Sequence, residues 1–163
     1  MTRENVVQLL KDPVAQELLH STIPARFAYT ALDGSPRVIP IWFHWDGERF
    51  VLATAPNSPK VKALARNQKV ALTIDENAYP PKVLLVRGTA RTEVIDGIAP
   101  EYAASARRYL GEQQGRSWEQ QARSIFSQQA RIEIEPEWVK ILDFQTRFPK
   151  AIEDAIGRGS QQA

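Results

Sequence analysis

The sequence has 163 residues, 43% hydrophobic, 25% charged and 9% aromatic, which is the balance of one ordinary globular domain with a sizeable core. It holds no cysteine and only two histidines, His20 and His44, which excludes disulfide frameworks, thiolate metal sites, cysteine nucleophiles and multi-histidine metal centres. Twenty-one Lys and Arg against nineteen Asp and Glu leave a net charge of +2, too small and too evenly spread to point to nucleic acid. The first residues are charged and lack the apolar stretch of a signal peptide, and no run reaches the ~20 apolar residues of a membrane span, so the expected location is the cytoplasm.

A single domain is expected over residues 1–163. Residues 2–19 place Val6, Leu10, Val14 and Leu18 at helical spacing, which predicts an amphipathic cover helix with a possible restart at Asp12–Pro13. A barrel is expected over residues 25–95. It opens with β-rich runs around Asp33–Gly34 and Asp46–Gly47, and such pairs favour tight hairpin turns because glycine adopts positive φ freely, so the pattern predicts an antiparallel meander of three strands. Ser58, Pro59 and Leu64 then suit the cap, first position and apolar stripe of a short helix. Two more strands follow at residues 70–75 and 82–95, the second with Gly88 marking a bulge or a close backbone approach. Residues 100–127 read as a helical insertion broken around Gly111–Gly115, residues 130–144 as two final strands on either side of Pro136, and residues 157–163 as a polar, frayed tail. Strands outnumber helices without alternating with them, so the expected fold is mainly β with accessory helices, a mostly antiparallel barrel.

Two segments could carry chemistry. In LATAPNSPK, Thr54, Ser58 and Lys60 converge where a strand hands over to a helix, and free N–H groups with the positive helix end would make a phosphate-sized anion site. Lys62 and Arg66 could extend the positive field toward a longer anionic tail. The alternative is that Ser58–Pro59 is only a helix cap and the lysines a solvated face. In RVIPIWFHW, alternation puts Val38, Pro40, Trp42 and His44 on one face and Ile39, Ile41, Phe43 and Trp45 on the other. Both faces are apolar, so one could enter the barrel while the other lies at a subunit interface or under a planar ligand. Pro40 lacks an N–H, so this strand should not be laddered on both sides. From the residues alone Trp42 reads more readily as a core or interface residue than as a cofactor contact, and His44 reads as an ordinary strand histidine rather than a base. Glu133, Glu135 and Glu137 read as the exposed edge of a strand, Arg107, Arg108 and Arg123 as exposed helix faces, and Trp138 and Lys140 as interface or ligand residues. The dinucleotide, Walker and nucleophile-elbow signatures are absent.

The order of Asp–Gly turn, strand, Asp–Gly turn, strand, then T-x-x-x-S-x-K-x-x-x-L from Thr54 to Leu64, then V-x-G-x-A from Val86 to Ala90, resembles the flavin-binding split-barrel family that includes pyridoxamine 5′-phosphate oxidase. Some of its short members use FMN and others the deazaflavin coenzyme F-420. The resemblance implies a split barrel and a homodimer with the cofactor in a groove at its interface. It also implies a redox reaction on a small molecule. Carried over by position, Arg37, Val38, Ile39, Pro40, Ile41 and Trp42 would line the isoalloxazine edge, with Thr54, Ser58 and Lys60 on the phosphate. Pro59 stands where many FMN members carry arginine, which implies weaker FMN retention or a preference for the deazaflavin. The pyridoxal-phosphate pattern of the true oxidase is not recognisable near the C-terminus. No catalytic side chain and no metal ligand is expected, and a cofactor carrier or sensor without turnover is the alternative to an enzyme.

Overall fold

The computed structural model describes residues 1–160. The chain begins with α1 (Arg3–Leu10) and α2 (Pro13–His20). Thr2 Oγ1 accepts from the Asn5 N–H, and Asp12 accepts from the Val14 N–H with Pro13 at the first helical position, so the two short helices are capped separately. Val6, Leu10, Ala15, Leu18 and Leu19 form their buried face.

Strands β1 (Ala25–Thr30), β2 (Pro36–Ile41), β3 (His44–Trp45) and β4 (Phe50–Thr54) follow, then α3 (Pro59–Leu64), β5 (Lys69–Asp75) and β6 (Val83–Asp96). The helices α4 (Pro100–Leu110) and α5 (Glu112–Ile125) precede β7 (Gln128–Leu142) and α6 (Lys150–Ser160). The strands make one antiparallel sheet in the order β2-β1-β5-β6-β7-β4-β3. Its two outermost strands, β2 and β3, are joined by Trp42 and Phe43 alone. So short a link cannot span an open seven-stranded sheet, so the sheet must roll until its edges meet at that corner. Phe27, Phe43, Phe50, Leu72, Leu84, Ile132 and Ile134 fill the interior, and Leu18 and Leu19 of α2 belong to the same core.

Three expectations are corrected. The three-strand meander does not exist as a paired unit. Both Asp–Gly hairpins form, with Gly34 and Gly47 at positive φ, but β1–β2 lies at one edge of the sheet and β3–β4 at the other. The two final strands around Pro136 are one strand, β7. Pro136 is tolerated because pairing with β4 ends at Ile134, and on its other side it faces Gly88 at a register shift, where its missing N–H breaks no ladder. Gly88 is needed there, since a Cβ would come within 2.3 Å of the Glu135 carbonyl oxygen. The frayed tail expected from residue 157 is helical in α6 to Ser160, while residues 161–163 lie outside the described residues.

The helical insertion is a hairpin. Gly111 alone turns the chain, and Gly115 lies within α5, not in the break. A Cβ on Gly115 would meet the Arg107 Cα at 2.4 Å, so the glycine is what lets α5 lie against α4.

Candidate functional site

At the end of β4 the chain makes a tight turn, with the Ser58 N–H donating to Ala55 O at 3.1 Å. Val61 and Lys62 both direct their N–H groups at Ser58 O, and Pro59 has none. The expected row of free backbone donors is therefore reduced here, the Val61 and Lys62 N–H groups being spent within the turn, and α3, six residues long, offers little dipole. The side chains carry the site instead. Ser58 Oγ is buried with no hydrogen-bond partner among the described residues and does not cap α3. Lys60 Nζ, half-buried, donates to Thr54 Oγ1 at 3.0 Å, and burial pushes its pKa below the ordinary lysine value. Among the described residues no carboxylate pairs with it. A buried hydroxyl without a partner and a desolvated cation without a counter-ion both disfavour the fold unless something arrives to satisfy them. A phosphate oxygen answers both, because it accepts from the hydroxyl and neutralises the ammonium.

The segment from Arg37 to Trp42 divides. Arg37 is exposed beside the hairpin tip, 3.3 Å from Asp33. Val38 lies in an open groove on the outer face of the sheet with Ala28 and Ala71, while Ile39 and Ile41 pack against the core. As an edge strand, β2 is laddered on one side only, with Pro40 opposite Arg26. Pro40, Ile41 and Trp42 border a groove of about 480 Å³ together with Ala53, Tyr102 and Trp118. That volume lies within the range of small-molecule sites. The groove thus joins the predicted ring-edge strand to β4, whose next residue is Thr54.

Tyr102 and Trp118 escaped the sequence reading. Trp118 was legible as a lone tryptophan in the otherwise polar stretch EQQGRSWEQQARSI, but only the hairpin crossing shows what it faces. Trp42 stacks on Tyr109 at 5.0 Å and 6° and meets Trp118 edge-on at 6.3 Å and 66°.

The remaining candidates are structural. Arg108 is not on an exposed face: it is half-buried and donates to the carbonyls of Leu19, Ser21 and Phe43, with its guanidinium over the Phe43 and Tyr109 rings. It ties α4 to the corner where the sheet edges meet. His44 is half-buried in β3, and burial lowers its pKa, so it is neutral at pH 7. Glu133, Glu135 and Glu137 do not mark an edge, because β7 lies inside the sheet. Glu133 pairs with Arg49 and Arg131, Glu135 with Arg3, and Glu137 with Lys69. Arg107 pairs with Glu119 at 2.7 Å, and Arg123 with the same carboxylate at 2.8 Å. Trp138 lies under Arg87 at 4.4 Å, and Lys140 is opposite Leu85 in the ladder. A second cavity, of about 250 Å³, lies between α1 and the β3–β4 turn and holds none of the predicted site residues.

The site and fold together define a rolled antiparallel sheet with an anion-receptive corner and an adjacent aromatic groove. The family described as pyridoxamine 5′-phosphate oxidase matches residues 12–143, and the chain belongs to it. Solved structures show the same fold at low identity. A protein described as an F-420 reductase matches at TM-score 0.61 and 22% identity, over 77% of this chain and 94% of its own. A conserved hypothetical protein from Mycobacterium tuberculosis matches at 0.62 and 17%, over 89% and 86%. HutZ, a heme storage protein from Vibrio cholerae, matches at 0.59 and 15%, over 81% and 93%. No curated protein sequence matches the chain.

Proposed function

We propose that the chain is a flavin-dependent oxidoreductase that binds FMN in a groove at the interface of a homodimer. The phosphate rests on Thr54, Ser58 and Lys60, and the isoalloxazine edge follows the strand from Arg37 to Trp42. The observation that carries this reading is the pairing of a buried Ser58 Oγ with a desolvated Lys60, neither of which finds a hydrogen-bond acceptor or counter-ion to satisfy it among the described residues beyond Thr54 Oγ1 on Lys60. Family membership supports the same placement. When bound, a flavin supplies the hydride or electron transfer that no side chain in this cysteine-free chain can supply. The chain's own part is to hold the phosphate, present the single-sided edge of β2 to the ring and exclude water through Pro40 and Trp42.

Within the same class, two observations favour the deazaflavin F-420. Pro59 removes a guanidinium that would grip the FMN phosphate, and Lys62 and Arg66 are exposed on or just beyond α3 with no ion-pair partner among the described residues, available to a longer anionic tail.

Titration of the purified chain with FMN and, separately, with F-420, followed by the visible spectrum, tests the reading. One of the two should bind, and Lys60→Ala should weaken it roughly 10- to 100-fold, the loss of one charged hydrogen bond, while the melting temperature holds. A chain that binds neither overturns the assignment. Reduction of the bound cofactor by a nicotinamide donor, then reoxidation by a substrate panel, separates an oxidoreductase from a carrier or sensor.

A further inference from the structure

The wall contributed by the α4–α5 hairpin is built unlike the rest of the groove. Trp118 Nε1 donates to the Tyr102 hydroxyl at 2.8 Å, so the two rings brace each other across the hairpin. Trp42 is held in place from behind by its parallel stack on Tyr109, whose own hydroxyl is 3.2 Å from Ile23 O. Three aromatic rings are thereby fixed around one opening, and Trp118 remains 37% exposed, bordering both this groove and a polar pocket beside Gln113, Gln114 and Gln121. No described residue lining the groove is charged. The nearby ions are held elsewhere: Glu101 through Oε1 on Arg131 at 2.8 Å, its buried Oε2 having no partner among the described residues, and Arg108 on three backbone carbonyls. The indole donor is used within the wall, and the Tyr102 oxygen accepts it, which leaves the Tyr102 hydroxyl proton available as a donor at the groove.

We propose that Trp42, Tyr102 and Trp118 form the substrate subsite, and that it takes a flat, uncharged ring compound carrying a carbonyl-type oxygen. This rests on the reading that Pro40 to Trp42 flank the cofactor ring. Stacking favours the flat ring, the tyrosine proton meets its oxygen, and an apolar lining without a counter-charge rejects anions, since desolvating a carboxylate there has nothing to offset it. Tyr102 and Trp118 are specificity-determining residues on this account, and hold no cofactor atom.

The test uses two nearly isosteric probes, 2-acetonaphthone and 2-naphthoate, in equilibrium dialysis against the full chain, with and without saturating cofactor. The neutral ketone should bind at least tenfold more tightly than the carboxylate. Trp118→Ala should weaken the ketone roughly tenfold, Trp118→Phe should recover most of that loss, and cofactor affinity should change less than about twofold in both. Equal binding of the two probes, or a ketone affinity indifferent to Trp118→Ala, overturns the proposal. So does a parallel loss of cofactor in Trp118→Ala with an unchanged melting temperature, because the wall would then seat the cofactor itself. Failure of the flavin reading shows separately, as wild-type chain that binds neither cofactor, and in that case the probe comparison without cofactor still decides the chemistry of the groove.

Discussion

Lys60 carries a charge that the fold has partly stripped of water, with Thr54 Oγ1 as its polar partner. Its pKa in the free chain is therefore below the ordinary lysine value. A phosphate bound against it favours the charged form and pulls the pKa back up, so the complex holds the proton more tightly than the free chain does. The sign follows directly. Affinity is full while the free chain is protonated, declines as pH rises through the lowered pKa of free Lys60, and levels off beyond the raised pKa of the complex. The phosphate itself stays dianionic from about pH 7 upward and adds no slope. Cofactor titrations from about pH 7 to about 10.5 should show this alkaline decline in the wild type and a flat profile in Lys60→Arg, whose guanidinium stays charged throughout. A flat wild-type profile would separate Lys60 from the phosphate. Ser58 adds the complementary point: whether its hydroxyl caps α3 or is left for a ligand depends on a side-chain rotation that no sequence pattern encodes.

The α4–α5 hairpin stands or falls on Gly115, where a Cβ would sit 2.4 Å from the Arg107 Cα, a backbone atom that only a shift of the whole helix can move away. Gly115→Ala should therefore destabilise by about 1–3 kcal/mol, seen as a melting temperature lowered by several degrees. It should also part Tyr102 from Trp118, so that binding of the neutral naphthyl ketone falls while cofactor affinity is kept. An unchanged melting temperature would show that the helices adjust without cost. The same hairpin marks where sequence stops being informative. Asp–Gly turns, the Asp12–Pro13 restart and Pro59 are local chemistry and were legible as such. The break assigned to Pro136 was not, because a proline is harmless wherever its strand lacks a neighbour, and that β4 stops pairing at Ile134 is a long-range fact. The meander failed for the same reason: each hairpin is local, but which strand lies beside it is decided by β5 and β7, many residues away. Tyr102 and Trp118 meet only because two helices cross at a glycine.

At the scale of the molecule, the chain leaves β2 as an unpaired edge beside a shallow groove where Val38 and Val83 lie with Thr73 and the Arg26–Asp75 ion pair. Val38 is 63% exposed there, Pro40 is exposed beside it, and Ala28 and Ala71 continue the same shallow groove. Exposed apolar side chains next to a free strand edge invite association, and Pro40 prevents β2 from simply extending into another sheet. Packing of this face against a second copy would cover it and close the proposed cofactor groove at once, since Pro40 of that groove is paired with Arg26 of the outer one. Sedimentation should then give a dimer for the wild type, and Val38→Glu should give a monomer with an unchanged far-ultraviolet spectrum, because Val38 contributes nothing to the buried core. If the interface completes the groove, the monomer should also lose cofactor affinity by roughly tenfold or more, an effect that raising the protein concentration reverses by mass action. A wild-type chain that sediments as a monomer and still holds its cofactor would instead place the whole groove within one chain, and the exposure of Val38 would need another occupant.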